Sequence, residues 1–475
     1  MRDKKESLYY LPILIVWSIA HINLTGFMYE DDEGAYLYIS SAIVRGERLY
    51  SDVLAAKPPL LFYIGALIYK IFGNDLFAFR FFSSSLGLVA SILIFEFFKA
   101  RNDRFSGLIL SLIFTLDPIV FTQMRFFRTD ILMLTTFVSG VYFIFRSRDL
   151  RDIVISTLLF SLSVFSRDDA FVYSIFLVLY LLFKYKERRY LLVMIGVILS
   201  FVVSLMLRGE QQVIGSFSQQ IDLSKVNTGE RIERYKDFLL YLIKTYPVWL
   251  LFPLIIIPVI KFKRENMSLI SFLLVVLNLA MVFFSNSTFI RYTMITILAR
   301  LLLLSDLMNV LKGKMRYAAA VGAIILQILL NPPPIGELFF NDQTVLKIAN
   351  HLKSISNGRD VLLSDYGYFN FLSGMKGTSI SGYISGGSVN SGEIDAERLI
   401  RIIQKEGVDY LLIHTDGRLY YPYGCEIYYY EPHHIKGMRN WGVFKEYIEK
   451  NFSLISTFYG IGPVFKLYKR IISYP

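Results

Sequence analysis

Tyr29-Glu30-Asp31-Asp32-Glu33-Gly34-Ala35-Tyr36 follows directly on an apolar run, 8–28, that is long enough to cross a bilayer. Four consecutive acids in that place stand out in a chain of net charge +11. A carboxylate at a sheltered membrane edge can take a proton from an incoming nucleophile, which is the requirement on a general base. The competing reading of the same residues is a solvated acidic loop.

The composition around this stretch decides the solvent. Of 475 residues, 54% are hydrophobic and 16% aromatic, and the mean hydropathy is +0.47, too apolar for a soluble globular chain of this length. Runs that cross, or nearly cross, about 30 Å of hydrocarbon fall at 8–28, 76–98, 105–121, 130–145, 153–165, 170–183, 191–207, 246–260, 269–284, 292–311 and 317–330. These predict about eleven membrane spans.

Every second connection is basic. Arg2, Lys4 and Lys5 precede the first run, and Lys99, Arg101 and Arg104, then Arg146, Arg148 and Arg151, then Lys184, Lys186, Arg188 and Arg189 repeat the bias. Lys261, Lys263 and Arg264, then Lys312, Lys314 and Arg316, continue it. That parity predicts a cytoplasmic amino terminus, with the connections near Asp32, Arg128, Asp168, Glu230 and Arg291 and the tail outside. The positive balance therefore reads as topology, and nucleic-acid binding is not expected. The first run lacks a small-residue cleavage site and reads as a retained anchor. Cys425 stands alone, so no internal disulfide is expected, which points to a prokaryotic plasma membrane.

Two domains are expected, a membrane domain over 1–331 and an extracytoplasmic α/β domain over 332–475. Within the first outer loop, 29–75, a helix is predicted over 33–45 with Tyr36, Ile39, Ile43 and Val44 on one side, suited to lying in the interface. Pro58 and Pro59 break the chain before 60–72, a second interfacial helix or partial span. The connection 208–245 has the length of a lid or binding loop. Beyond Pro332-Pro333-Pro334, β-rich runs at 361–363, 410–413 and 465–468 alternate with helical patterns at 345–355, 396–406 and 443–451. The Tyr-rich stretch 420–430 reads as an interfacial belt or an aromatic platform. The fold class is thus a polytopic α-helical membrane protein with interfacial helices and a small C-terminal α/β domain.

Several charged residues share the outer face with the acids. Lys57-Pro58-Pro59 sets an ammonium on a stiffened backbone, suited to a lipid phosphate. In Arg125-Phe126-Phe127-Arg128-Thr129-Asp130 two guanidinium groups can grip a phosphate, and Asp130 is either a site acid or a helix cap. Ser166-Arg167-Asp168-Asp169 lies between short runs, where ionisable groups are paired or used. Arg291 opens a run from the same side, as a site cation or a snorkelling one. Acids beside fixed cations at headgroup depth describe a site for displacement at a phosphate-bearing lipid, with the cations stabilising the departing phosphate.

These residues resemble the GT-C-fold glycosyltransferases that use polyprenyl-phosphate sugars, a family that includes protein O-mannosyltransferases and lipid A aminoarabinose transferases. The likeness rests on Asp32-Glu33-Gly34-Ala35-Tyr36, Arg45-Gly46-Glu47-Arg48-Leu49-Tyr50, Lys57-Pro58-Pro59-Leu60, then Arg125, Arg128 and Asp130, and later Arg291-Tyr292. It covers the whole chain in layout and the first third closely. The resemblance implies a membrane glycosyltransferase that moves a sugar from a polyprenyl-phosphate donor to a lipid, glycan or protein acceptor outside the cytoplasm, with inversion. By the same likeness Asp32, with Asp31 as the alternative and Glu33 beside it, is the general base, and Asp130 orients or balances the cations. Lys57, Arg125, Arg128 and Arg291 are the candidates for the donor phosphate, and Arg167, Asp168 and Tyr36 for the pocket wall. Where many relatives have a Lys between the short central spans, this chain has Arg167 followed by two Asp. No cofactor is firmly implied, and a divalent metal stays open. Membrane lipids are expected partners. The rivals are a transporter or lipid flippase, which would show repeated halves and midplane ion sites, and a non-catalytic membrane scaffold.

Overall fold

The computed structural model describes residues 7–27, 31–146, 149–209, 236, 239–240, 268–284, 294–311, 313–384, 388–389, 392–416, 435, 437–460 and 464–471. The expected span at 246–260, nearly all of the connection 208–245, the Tyr-rich stretch, Cys425, Arg291 and Tyr292 lie outside the described residues.

The described elements over 10–208 are helices: α1 (Tyr10–Ala20), α2 (Asp31–Val44), α3 (Leu60–Phe72), α4 (Leu76–Arg101), α5 (Arg104–Thr115), α6 (Pro118–Gln123), α7 (Thr129–Arg146), α8 (Leu150–Ser166), α9 (Asp169–Tyr185) and α10 (Tyr190–Arg208). Then follow α11 (Ser268–Phe284), α12 (Ile295–Val310) and α13 (Lys314–Leu330). Leu76–Arg101, Thr129–Arg146 and Tyr190–Arg208 are long and apolar enough to cross a membrane, and Tyr10–Ala20, Leu60–Phe72 and Arg104–Thr115 are apolar but shorter. The two helices expected in the first loop are present as α2 and α3. One expected run, 105–121, is split. Asp117 accepts hydrogen bonds from the backbone N–H groups of Ile119 and Val120 and Pro118 stands at the first helical position, so the chain caps a new helix there instead of continuing the old one.

Helix ends follow their side chains. Asp75 and Asp103 cap α4 and α5, accepting from Phe77 N at 3.0 Å and Ser106 N at 2.9 Å. At the other end of α4, Arg101 pairs with Asp306 at 2.6 Å, and Asp103 pairs with Arg316 at 3.1 Å, joining α4 and α5 to α12 and α13. The bundle interior is a continuous apolar core running from Ile94, Phe114 and Phe137 through Phe160 and Tyr173 to Leu298. The opposite faces carry exposed Leu158, Leu199 and Met206, which suits a hydrocarbon solvent. Close helix contacts use small residues: a Cβ on Gly107 of α5 would lie 2.7 Å from Lys99 N and 2.9 Å from Phe95 O of α4.

The C-terminal part comprises α14 (Thr344–Ile355), β1 (Val361–Ser364), α15 (Gly367–Ser373), β2 (Lys376–Gly377), α16 (Ala396–Glu406), β3 (Tyr410–Asp416), α17 (Trp441–Asn451), β4 (Phe452–Tyr459) and β5 (Val464–Arg470). Its five-stranded sheet has the order β2-β1-β3-β5-β4, with β1 parallel to β2 and β3, and β5 antiparallel to β3 and β4. The three strands and three helices expected here are found. The sequence reading missed β4, which follows α17 with no turn residue between them, as well as the two-residue β2 and the short aromatic helix α15.

This α/β unit does not stand apart from the first loop. Leu37, Phe62 and Phe79 share one apolar cluster with Phe369, Phe371, Leu412 and Phe465. Leu54 N donates to Ser379 O at 2.8 Å, and the Tyr38 hydroxyl donates to Thr378 O at 3.2 Å. The tightest seam joins α15 to α2, where a Cβ on Gly367 would lie 2.5 Å from Gly34 O and 2.8 Å from Gly34 C. Backbone cannot yield there as a side chain can. Gly367→Ala is therefore expected to cost about 1–3 kcal/mol of stability by overpacking. Gly442→Ala, in open space on α17, should be neutral or slightly stabilising. Thermal unfolding of the two variants in detergent tests the contrast, and equal midpoints would contradict the seam.

Candidate active site

The acidic stretch winds into the first turn of α2, where Asp31, Asp32 and Glu33 meet the positive end of the helix dipole. Successive helical residues point about 100° apart, so neighbouring acids go to different surroundings. Glu33 turns inward and is fully buried. Arg80 of α4 donates to it from Nε at 3.0 and 3.1 Å and from Nη2 at 2.6 Å. Phe127 N donates to Glu33 Oε1 at 2.6 Å, and the hydroxyl of Tyr368, from α15, donates to Oε2. These donors take up the roughly four acceptor positions of a carboxylate. Arg80 is itself completed by Leu24 O and Gly26 O, each at 2.7 Å, and stacks over the Phe126 ring at 4.9 Å.

Asp32 turns the other way, to the edge of the protein. Its Oδ2 accepts from Arg128 Nη2 at 2.7 Å, and its side chain is 30% exposed while that of Arg128 is 0%. Arg128 Nε lies 3.7 Å from Asp130 Oδ2. Asp130, in the first turn of α7, accepts in turn from Arg167 Nη1. Arg167 closes a fork on Asp169 at 2.9 and 2.8 Å. The result is an unbroken row of alternating sign, Asp32–Arg128–Asp130–Arg167–Asp169, gathered from α2, α7, α9 and the turns before them. Alternation is what makes a wholly buried guanidinium such as that of Arg128 tolerable. Beside the row, Arg208 at the end of α10 grips both oxygens of Asp168, with Nη1 to Oδ2 at 2.9 Å.

Lys57 precedes the two prolines that lead into α3 and is half-buried, and it is paired with no carboxylate among the described residues. Its carbonyl accepts from the Tyr50 hydroxyl at 2.8 Å. Tyr50 holds a left-handed backbone at φ +71°, a strained conformation for a tyrosine. Burial pushes its phenol well above the ordinary value, against the nearby Arg208 guanidinium, with Asp168 opposing that cation. Tyr50 thus ties the Lys57 segment back to its own turn through that hydroxyl.

Other candidates fall elsewhere. Arg125 is buried and faces Glu337, with Nη1 3.8 Å from Oε2 and Nη2 3.4 Å from the carbonyl, while Thr122 Oγ1 donates to the same carboxylate at 3.1 Å. Burial lowers the Arg125 pKa to about 10, with Glu337 pulling the other way. Tyr36 is buried edge-on against Phe62 at 5.6 Å. The Asp31 side chain and Arg291 lie outside the described residues. Among the described residues no group of three or more His, Cys, Asp and Glu could hold a metal ion. The sequence reading overlooked Arg80 and Tyr368 and gave Tyr50 and Arg208 no role of their own. Arg80 had a signal, because an arginine inside an apolar run is by default paired or functional.

Residues 56–208 match the family described as dolichyl-phosphate-mannose-protein mannosyltransferase. That stretch takes in Lys57, Arg128, Asp130, Arg167, Asp168 and Arg208 and stops short of Asp32. The structure of ArnT from Cupriavidus metallidurans bound to undecaprenyl phosphate is similar over 98% of both chains, at 12% identity and a TM-score of 0.60. The Archaeoglobus fulgidus oligosaccharyltransferase tethered to an acceptor peptide is similar over 86% of this chain and 69% of that one, at 11% identity and a TM-score of 0.53. Comparison with curated protein sequences gave no match. At these identities the structural likeness establishes the fold. Together with the family match it bears out the resemblance to GT-C-fold glycosyltransferases and supports a membrane glycosyltransferase as the class of activity.

The ion pair behind Asp32 yields a stability prediction. Glu33→Gln leaves the Arg80 guanidinium charged and buried without its counter-ion, at an expected cost of about 3–5 kcal/mol. Replacing both partners, as Glu33→Leu with Arg80→Met, should recover more than half of that loss. Thermal unfolding of the single and double variants decides it, and a single variant as stable as the native chain would show that the pair holds nothing.

Proposed function

We propose that this GT-C-fold chain is an integral membrane glycosyltransferase that moves a sugar from a polyprenyl-phosphate donor to a lipid, glycan or protein acceptor outside the cytoplasm, with inversion at the anomeric carbon. The observation that carries the reading is Asp32: a partly exposed carboxylate held by a fully buried guanidinium at the open end of the charged row. In the proposed step an acceptor hydroxyl attacks the anomeric carbon from the side opposite the phosphate. The carbon–oxygen bond to phosphate breaks, the hydroxyl proton passes to Asp32, and polyprenyl phosphate departs with the bonding pair. Developing charge on the phosphate needs fixed cations. Lys57, on its proline-stiffened segment and without a carboxylate partner among the described residues, is the first choice, with Arg128 and Arg291 as further contacts.

Within this reading Asp130 and Arg167 keep Arg128 in line with Asp32, and Asp168 with Arg208 shapes the pocket beside Lys57. Arg125 is assigned to holding the segment around Glu337, and Glu33, with its acceptor positions occupied, to positioning. The topology that goes with the proposal has about eleven spans over 1–331, the first loop and the unit 332–475 outside, and the amino terminus inside. The transporter alternative gains no support from the charged row, which lies at one end of the helices that supply it.

The test is transfer by purified protein. Lipid-linked sugars extracted from cells lacking the gene serve as donor, and membranes of the same cells as acceptor. Asp32→Asn is expected to lower the rate by about 10²–10⁴-fold, and Lys57→Ala to raise the apparent KM for donor. Native-like transfer by Asp32→Asn would overturn the assignment.

A further inference from the structure

We infer that Tyr368, on the C-terminal α/β unit, is a positioning residue for Asp32, so that docking of this unit completes the alignment of the reactive carboxylate. The inference rests on the reading of Asp32 as the base and deepens it. Three observations lead to it. The Tyr368 hydroxyl donates to Glu33 Oε2 and receives Arg80 Nη2 at 3.3 Å, so it touches both partners of the buried ion pair. Glu33 is the chain neighbour of Asp32, and its other oxygen accepts from the backbone N–H of Phe127, the chain neighbour of Arg128. Asp32 and Arg128 are themselves bonded at 2.7 Å.

Two adjacent pairs therefore run side by side between the same two segments. The outer pair, Asp32 with Arg128, is partly open to the exterior. The inner pair, Glu33 with Phe127 N, is sealed. The inner bond fixes the separation of the two backbones, and the outer side chains meet only at that separation. Tyr368 restrains Glu33 from the remaining side, and the Gly34–Gly367 seam fixes the backbone next to it. A tyrosine hydroxyl 335 residues from Glu33 in sequence thereby enters the geometry of Asp32 through Glu33.

Tyr368→Phe keeps the ring and the apolar packing and removes only the hydroxyl, leaving one fewer donor on Glu33. The carboxylate then has freedom to shift, and Asp32 moves with it. Displacements of a reacting group by about 1 Å cost on the order of a hundredfold in rate, so a smaller slip should lower kcat by roughly ten- to a hundredfold while KM for donor stays unchanged, because Lys57 is not involved.

The experiment compares native protein, Tyr368→Phe, Asp32→Asn and Phe371→Leu in the transfer assay with the extracted lipid-linked sugars, and measures the thermal midpoint of each. Phe371 is a buried neighbour on α15 that packs on Phe79 and Tyr69, so its truncation loosens the helix without touching Glu33. A fall in kcat at constant KM for Tyr368→Phe, with Phe371→Leu losing at least as much stability yet keeping its rate, supports the inference. Native kcat in Tyr368→Phe alongside an inactive Asp32→Asn overturns it and leaves the base assignment standing, as does an equal loss of rate in Phe371→Leu. An active Asp32→Asn overturns the base assignment and this inference with it.

Discussion

Glu33 is an ionisable group at the centre of a protein that is apolar over most of its length, and it is tolerated because its acceptor positions are occupied. Arg80 supplies a charged fork, Phe127 a backbone N–H and Tyr368 a hydroxyl. Stripping such a carboxylate of its donors would expose the cost of its desolvation, and each one removed leaves part of that cost uncovered. Five segments are consequently held in register: the end of the first apolar run through Leu24 and Gly26, the helices α2 and α4, the turn before α7, and α15. The direction in which Asp32 points follows from this arrangement.

The charged row outside that pair follows a different logic. Its members are held by alternation of sign, and Asp32 is the most accessible of them, with a side chain 30% exposed against 3% for Asp130. A wholly buried Arg128 between two carboxylates keeps its charge close to neutralised on both sides. A carboxylate can therefore remain at the rim while its partner stays dry.

Much of this was legible in the chain. The apolar runs located α4 and α7 to α13 closely, Pro58 and Pro59 marked the start of α3, and the Arg-Phe-Phe-Arg-Thr-Asp stretch placed Arg128 and Asp130 together. What could not be read was the division of labour between Asp32 and Glu33. The two acids are adjacent and alike in type, and only packing against Arg80 and α15 decides which one faces inward. Arg80 was concealed within a run scored for its apolar neighbours. Tyr368 lay in a stretch with no periodic signal, and its role depends on a contact that no local pattern encodes. The break at Asp117 was similarly hidden, because a capping acid followed by proline inside an apolar run looks like a single polar interruption.

The glycine seam and the tyrosine beside it bear on the order in which the molecule is made. Ribosomes deliver Gly34 early and Gly367 late, and long-range closures of this kind come last in folding. The turn bearing Asp32 thus emerges far ahead of the segment that seats it. A nascent chain still threaded through the insertion machinery holds its acid unbraced, and the turn bearing Asp32 reaches its final geometry only after Gly367 and Tyr368 have been made.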